Sequence, residues 1–415
     1  MRVFLSAGEP SGDHHAALLV RELRSRRPDV ECLGLGGPAM EAAGCRLVAD
    51  LTRLAVMWFL RVALSIHRFV DLARRAERSF LDERPDICVL VDFPGFHWWL
   101  AWRAKRHGIP VVFYCPPQIW AWASWRAAKM RRLVDHVLAP LPFEHEWFLA
   151  QGIPSTLVGH PFFDAAAGPP QPDPRPEGAA AGGTGPVVVL LPGSRGQELT
   201  ANLGSILRAA ALIGRAVPEA RFAVAALHER HADRARQAIA VTAEVRRLGI
   251  AVVAGQAREL IGRATAAVAV SGSVSLELLA AGVPTVIVYR ISSFAYVVQS
   301  FFRRARFITL VNLLACREPV GPVRPVLVPP WGVPPADPEA VFPEYLAVAD
   351  PAERAAKHVV EWLADPASLA LARRRVAAVA ARVAHPGSAA RAATAVLAIA
   401  AGHSLDSAAS ARRAA

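Results

Sequence analysis

Three short stretches of the sequence hold side chains able to carry out group transfer. Asp92 directly follows the apolar run Ile87–Val91 and opens the turn Asp92-Phe-Pro-Gly-Phe-His97. An aspartate at the carboxyl end of a parallel strand stands where such sheets hold their ligands, so Asp92 is a candidate general base; a helix cap or turn former is the other reading. Arg195 lies in Pro192-Gly-Ser-Arg-Gly196, just after the run Val187–Leu191. A guanidinium there can pair bidentately with a diphosphate and stabilise the charge on a departing nucleotide, the alternative being a surface ion pair. The third stretch, 268–290, reads as a strand ending at Val270, a Ser271-Gly272-Ser273 turn, a helix stopping at Gly282 and a second buried strand over 285–288. Such a turn suits a phosphate, and Glu277, one turn into the helix, could accept hydrogen bonds from a sugar diol; serines that only cap the helix are the plainer reading.

A fourth turn, Gly8-Glu9-Pro10-Ser11-Gly12-Asp13, separates a strand over 2–7 from a helix over 14–26. Its glycines allow close approach of a ligand, while Glu9, Ser11 and Asp13 are more acidic than a phosphate cradle should be and suit sugar hydroxyls. The neighbouring His14 and His15 diverge by about 100 degrees around a helix and have no evident third ligand, so no metal is expected, and no cofactor.

These turns need a scaffold that brings the ends of successive strands to one edge. Short apolar runs alternating with helical stretches provide it, once up to residue 164 and again from 187, and this alternation implies an α/β protein with two Rossmann-like, doubly wound parallel sheets. Residues 165–186 are Pro, Gly and Ala with almost no apolar periodicity, the composition of a linker. The expected organisation is an N-terminal domain over 1–164, the linker, a C-terminal domain over 187–365, terminal helices over 366–401 that pack back on the first domain, and a frayed tail over 402–415.

Composition narrows the class. A chain of 415 residues with 53% apolar content supports two cores, and its formal charge of +12 points to a polyanionic or anionic-surface partner. Five scattered cysteines without a CxxC pair fit a reducing cytosol and give neither a disulfide framework nor a zinc site. The first residues lack a signal peptide's apolar core and no run approaches the length of a membrane span, so any membrane contact is expected to be peripheral. Two segments combine large apolar residues with arginines: 54–78, including Met57, Trp58, Phe59 and Arg61, and 294–306, including Phe301 and Phe302. Each reads either as a helix at a lipid interface or as a core helix with a solvated basic end. Trp120, Trp122 and Trp125, followed by Arg126, Lys129, Arg131 and Arg132, read either as an aromatic and cationic wall or as a bulky core corner.

Taken together, the stretches Gly8-Glu-x-Ser-Gly-Asp13, Leu54-Ala-Val-Met57, Val91-Asp-x-Pro-x-Phe96, Trp120-Ala-Trp122, Leu141-Pro-Phe-Glu144, Val158-Gly-His-Pro161, Leu191-Pro-Gly-Ser-Arg195 with Glu198, Ser271-Gly with Leu276-Glu277, Tyr289-Arg290 and Asn312-Leu-Leu-Ala with Arg317-Glu318 resemble the lipid-A-disaccharide synthases. These are inverting glycosyltransferases of the GT-B architecture, two Rossmann-like domains facing a central cleft. The resemblance implies transfer of 2,3-diacylglucosamine from its UDP derivative to 2,3-diacylglucosamine 1-phosphate (lipid X), giving a β-1,6 disaccharide 1-phosphate and UDP in lipid A biosynthesis. By the same resemblance Asp92 is the base for the acceptor 6-hydroxyl, Arg195 assists the diphosphate, and Ser194, Ser271, Gly272, Ser273, Glu277 and Asn312 fall at the nucleotide end. The first domain takes the acceptor and its lipid chains, the protein sits on the cytoplasmic surface of the inner membrane, and no nucleic acid is a partner.

The sequence departs from the family at several positions. Trp58 and Arg61 stand where glycine and glutamate are usual, Gly95 and His97 where aspartate and asparagine are usual, Val311 replaces a proline and Ala347 a glutamine. Competing readings are another GT-B enzyme on UDP-N-acetylglucosamine, either a membrane-associated transferase or a 2-epimerase, and a non-catalytic basic binder of membranes or nucleic acid.

Overall fold

The computed structural model describes residues 1–52, 66–166, 185–321, 333 and 335–403. Short runs of Val, Ile, Leu, Phe and Ala form strands whose neighbours are covered on both faces by helices, the arrangement in which parallel sheets are stable. The first unit comprises Met1–Gly168 with His385–Ala415. Its strands are β1 (Arg2–Ala7), β2 (Glu31–Gly36), β3 (Arg46–Asp50), β4 (Ile87–Val91), β5 (Val111–Tyr114), β6 (His136–Ala139) and β7 (Ser155–Leu157). They lie in the order β3-β2-β1-β4-β5-β6-β7, every pair parallel.

Alternate residues of these strands enter two separate cores. Phe4, Leu90, Val111 and Phe113 pack on one face with Phe69, Phe80, Leu100 and Met130 from helices Ile66–Glu83, Pro94–Arg106 and Ala127–Leu133. Leu5, Val89 and Val112 pack on the other with Leu19, Leu23 and Val396. The chain passes from β1 to β2 on one side and reaches β4 on the other, so the order reverses between β1 and β4, where Ala7 pairs with Val91. Open parallel sheets bind ligands at such a reversal, beyond the carboxyl ends of the strands.

The second unit, Pro169–Ala384, repeats the plan. Strands β8 (Val187–Leu191), β9 (Arg221–Ala226), β10 (Ala251–Ala254), β11 (Ala266–Ala269), β12 (Thr285–Arg290) and β13 (Glu344–Ala347) lie in the order β10-β9-β8-β11-β12-β13, again all parallel. The reversal falls between β8 and β11, where Leu191 pairs with Ala269.

The terminal helices divide differently from the expectation over 366–401. Helix Pro366–Val383 stays with the second unit, burying Val376 and Val379, and Arg382 donates to the Leu314 carbonyl at 2.9 Å. Only helix Ser388–Ala400 returns to the first unit, where it packs along helix Pro10–Arg26. The break is set by Pro386 and by Gly387, whose φ of 89° suits glycine and ends any continuous helix. Asp164 fixes the returning helix by accepting from the backbone N–H groups of Gly387, Ser388 and Ala389 at 2.6, 2.9 and 2.6 Å. Among the described residues no helix is long and apolar enough to cross a membrane. Met57, Trp58, Phe59 and Arg61, residues 167–184 of the linker, residues 322–332 and 334, and residues 404–415 of the tail lie outside the described residues.

Candidate active site

At the reversal in the first unit the backbone is strained. Asp92, Phe93 and Cys115, which directly follow β4 and β5, have φ of 52°, 48° and 50°. The left-handed region is uncommon for aspartate and a true outlier for phenylalanine, and each such residue costs roughly 1–3 kcal/mol, so the surroundings must hold it there. Three contacts do so. The Asp92 N–H donates to the Tyr114 carbonyl at 3.3 Å. The Phe93 ring occupies the space a side chain on Gly8 would need, which joins the Gly8 turn to the Asp92 turn. Below them His97 is fully buried, with Nδ1 2.6 Å from the Asp92 carbonyl oxygen and Nε2 2.9 Å from Ser6 Oγ.

Burial pushes the His97 pKa down to about 3, against the opposing hydrogen bond from Asp92, so the ring is neutral at physiological pH. A carbonyl can only accept, so Nδ1 carries the proton and Nε2 accepts from the Ser6 hydroxyl. The imidazole is therefore a two-ended brace between β1 and the strained turn. Sequence reading listed His97 only as a departure from an asparagine; nothing in its position announced the Ser6 contact.

The fourth turn divides. Ser11 is exposed and Glu9 half-buried at the carboxyl edge of β1. Asp13 is buried at the same edge, where it accepts from the N–H groups of Gly37, Ala39 and Met40, just beyond β2, at 2.8, 2.9 and 3.2 Å. Its carboxylate caps helix Pro38–Ala42, an N-terminus whose orphan donors it satisfies. The tryptophan cluster also divides. Trp120 is buried and donates to Glu144 Oε1 at 2.8 Å, and burial pushes the Glu144 carboxyl up to about 8, while Trp122 and Trp125 are exposed.

In the second unit, the turn after β8 turns on Gly193, with φ of 109°, where a side chain would meet Glu198 Cβ at 2.8 Å. It leads into the 21-residue helix Gly196–Ala216, whose positive end faces the carboxyl edge of the sheet. Glu198 accepts the Arg195 N–H at 3.2 Å and pairs with the Arg195 guanidinium at 3.3 Å, but that side chain is 74% exposed. Ser194 beside it is exposed. The cation is thus held at a helix N-terminus by one ion pair, with most of its side chain in solvent.

Two residues the sequence did not flag join this turn. Asn202 donates to the Glu198 carbonyl at 2.8 Å and accepts from the Arg290 N–H at 2.7 Å, tying the helix to the end of β12. Arg234 brings a second guanidinium near the turn, 3.9 Å from where a side chain on Gly196 would begin. It sits on a helix remote in sequence, so no local pattern reveals it.

In the turn after the adjacent strand β11, Gly272 and Ser273 are exposed, and the space at Gly272 is open. Ser271 donates to the Ile308 carbonyl at 2.8 Å, so its hydroxyl braces the loop. Glu277 is half-buried, with its carboxyl pKa raised by burial and opposed by Arg258. Asn312 is held inside the fold. It is fully buried, its amide nitrogen donates to the Phe342 carbonyl and Glu344 at 2.8 and 2.9 Å, and its oxygen accepts from Val341 and Phe342, both at 2.9 Å. Two donors and two lone pairs are all committed within the unit.

The segment 294–306 is not a core helix. Helix Ser293–Phe302 buries none of its residues, and Phe294, Val297, Val298, Phe301 and Phe302 are exposed. Farther back, Phe69, Leu72 and Phe80 of helix Ile66–Glu83 are buried, as a core helix requires.

A family model described as Lipid-A-disaccharide synthetase matches residues 3–322. A lipid-A-disaccharide synthase of Anaeromyxobacter sp. (strain K) is 36% identical over 321 residues, covering 76% of this chain and 82% of the relative. One from Pseudomonas putida (strain GB-1) is 36% identical over 319 residues, covering 76% and 83%. Among solved structures, MurG of Acinetobacter baumannii aligns with a TM-score of 0.55 at 11% identity, covering 95% of this chain and 99% of its own. A UDP-GlcNAc 2-epimerase from Neisseria meningitidis, bound to UDP-GlcNAc, aligns with a TM-score of 0.55 at 10% identity, covering 96% and 98%. At such identities these structures speak for the fold alone.

Proposed function

This chain belongs to the lipid-A-disaccharide synthase family, and from that premise we propose that Asp92 and Arg195 carry out the transfer, each from the reversal point of its own sheet. The reaction joins 2,3-diacylglucosamine from its UDP derivative to 2,3-diacylglucosamine 1-phosphate and releases UDP. The Asp92 carboxylate takes the proton of the acceptor 6-hydroxyl, whose oxygen attacks the anomeric carbon. The bond from that carbon to the diphosphate breaks, and UDP leaves with the electron pair, its charge met by Arg195 and the N-terminus of helix Gly196–Ala216. Glu9 and Ser11 are proposed to hold acceptor hydroxyls; Ser194, Gly272, Ser273 and Glu277 are proposed to line the nucleotide end. The observation that carries the reading is the strained, His97-braced turn at Asp92, since strain of this kind survives where a side chain must be aimed.

Both substrates carry acyl chains. The exposed stripe of helix Ser293–Phe302 supports contact with them, because burying one Phe or Val side chain in an apolar phase is worth about 1.5–3 kcal/mol. Peripheral attachment to the cytoplasmic surface of the inner membrane follows as part of this proposal, with Met57, Trp58, Phe59 and Arg61 as further candidates for that contact.

The test is UDP release by the purified chain with UDP-2,3-diacylglucosamine in mixed micelles, with and without 2,3-diacylglucosamine 1-phosphate. Acceptor-dependent release with a disaccharide product is expected. Binding of UDP without release would assign the altered residues near Gly95 to a different acceptor.

His97 gives a second expectation. His97→Leu leaves the Ser6 hydroxyl and the Asp92 carbonyl buried without this partner, at a cost of about 1–3 kcal/mol in stability. With the base misaimed, kcat should fall about 10²-fold while UDP affinity holds. His97→Asn, the residue usual in the family, should restore kcat to within about tenfold of wild type because an amide can still donate to the Asp92 carbonyl. Equal kcat in all three proteins would reduce His97 to core filling.

A further inference from the structure

Between Asp92 and Asp135 the sequence holds seven lysines and arginines and no carboxylate. The fold gathers this stretch on one side of the first unit, where helices Pro94–Arg106 and Ala127–Leu133 lie together over the sheet. Their inward residues, including Trp98, Leu100, Met130 and Leu133, are buried and fix what points outward. Outward stand Trp99, Trp102, Trp122 and Trp125, at 39%, 43%, 47% and 60% exposure, and these are all the exposed tryptophans among the described residues. Guanidinium groups lie over two of the rings, Arg106 at 4.7 Å from Trp102 and Arg126 at 4.9 Å from Trp122.

Some of the charge is answered inside the fold. Arg103 pairs with Glu77 at 3.2 Å, and Lys105 with Asp135 at 2.6 Å. The rest crowds together: Lys129 lies over Trp98 at 5.1 Å, and its pKa is lowered by burial and then by neighbouring Arg126 and Arg132. Like charges held this close gain from an anionic surface that answers them all at once. Indole is the side chain that settles at the boundary between headgroups and acyl chains, apolar in its ring and polar at its N–H.

We propose that this face of the first unit, built by Pro94–Arg106, Ile119–Trp122, Ser124–Arg126 and Ala127–Leu133, rests on an anionic lipid bilayer, with the four indoles at headgroup depth and Arg106, Arg126 and Arg132 on lipid phosphates. The proposal rests on the family reading, in which both substrates carry acyl chains. A surface of this kind holds the enzyme where those substrates are, independently of the chemistry at Asp92. Charge complementarity argues for an anionic partner, and the acyl chains of both substrates in the family reading argue for a bilayer in place of a nucleic-acid strand, which cations and stacking indoles would also suit.

The test is sedimentation of the full chain with extruded vesicles of phosphatidylcholine alone or mixed with phosphatidylglycerol. Wild type is expected to prefer the anionic vesicles roughly tenfold or more, with the preference shrinking as salt is raised. Trp102→Ala with Trp125→Ala should lower partitioning to anionic vesicles roughly tenfold. Arg126→Gln with Arg132→Gln, both polar exchanges that leave the core untouched, should remove most of the preference and spare the weaker binding to phosphatidylcholine. Acceptor-dependent UDP release from micelle-dispersed substrates should be unchanged in both variants. Wild-type partitioning by both variants overturns the proposal and moves the contact elsewhere on the chain. So does tighter binding to an RNA oligonucleotide than to anionic vesicles, lost in the arginine variant. Partitioning that depends on this face in a protein that releases no UDP would keep the surface and remove the transferase reading instead.

Discussion

Asp92→Asn is expected to lower disaccharide formation by about 10³-fold, inside the range of about 10²–10⁴ that a positioned proton acceptor contributes. UDP affinity should stay within about twofold, because the nucleotide is assigned to a different sheet. Asparagine is the right exchange for a structural reason: Asp92 sits at φ 52°, and asparagine tolerates that conformation about as well as aspartate, so the turn is not disturbed. The amide has the shape of the carboxylate but cannot take the acceptor's proton. Alanine would add backbone strain and confuse the two effects. The measurements are product formation by mass spectrometry and UDP binding by calorimetry. Turnover near the wild-type rate would remove Asp92 from the proton transfer and leave it as the turn former that its position also permits.

For Arg195→Ala the expected result is different in kind. Rate and UDP affinity should fall together, kcat/KM by about 10²–10³-fold, as when a preorganised charge partner of a leaving group is deleted. Thermal stability should barely move. The cap on helix Gly196–Ala216 uses the Arg195 backbone N–H, which the substitution keeps, and the Arg195 side chain that pairs with Glu198 is 74% exposed. Arg195→Lys separates charge from geometry: it restores the cation but not the two-pronged fork, and should recover only part of the loss. Unchanged kinetics in the alanine variant would return Arg195 to the surface ion pair seen with Glu198.

Strands with apolar neighbours on both sides were legible in the sequence, because burial on two faces writes a continuous apolar run. β3, β7 and β13 were not, and each lies at an edge of its sheet. An edge strand is covered on fewer sides, so Arg46–Asp50, Ser155–Leu157 and Glu344–Ala347 mix polar residues into short segments. The turns bearing Asp92, Arg195 and the 271–273 serines were found for a similar reason: a glycine- or proline-marked turn after a buried run is a local pattern. What a polar side chain does at such a turn is not local. Asp13 and Asn312 are polar and stand near the expected edges, yet each is committed to backbone groups roughly 25 to 30 residues away. The same distance hid the partners that matter: Ser6 for His97, Arg290 for Asn202, and Arg234 for the Gly196 turn.

The returning helix Ser388–Ala400 has a consequence for how the chain is made. Its Ala392, Ala393 and Val396 complete a core begun by Val3, Leu5 and Leu19, so segments from either side of the second unit build one layer. During synthesis the first unit therefore waits, its helix Pro10–Arg26 uncovered, while the whole second unit emerges and folds. The order of translation and the order of completion are reversed: the unit begun before the other is completed after it, and a ribosome that stops before Gly387 leaves behind a mature second unit and an unfinished first one.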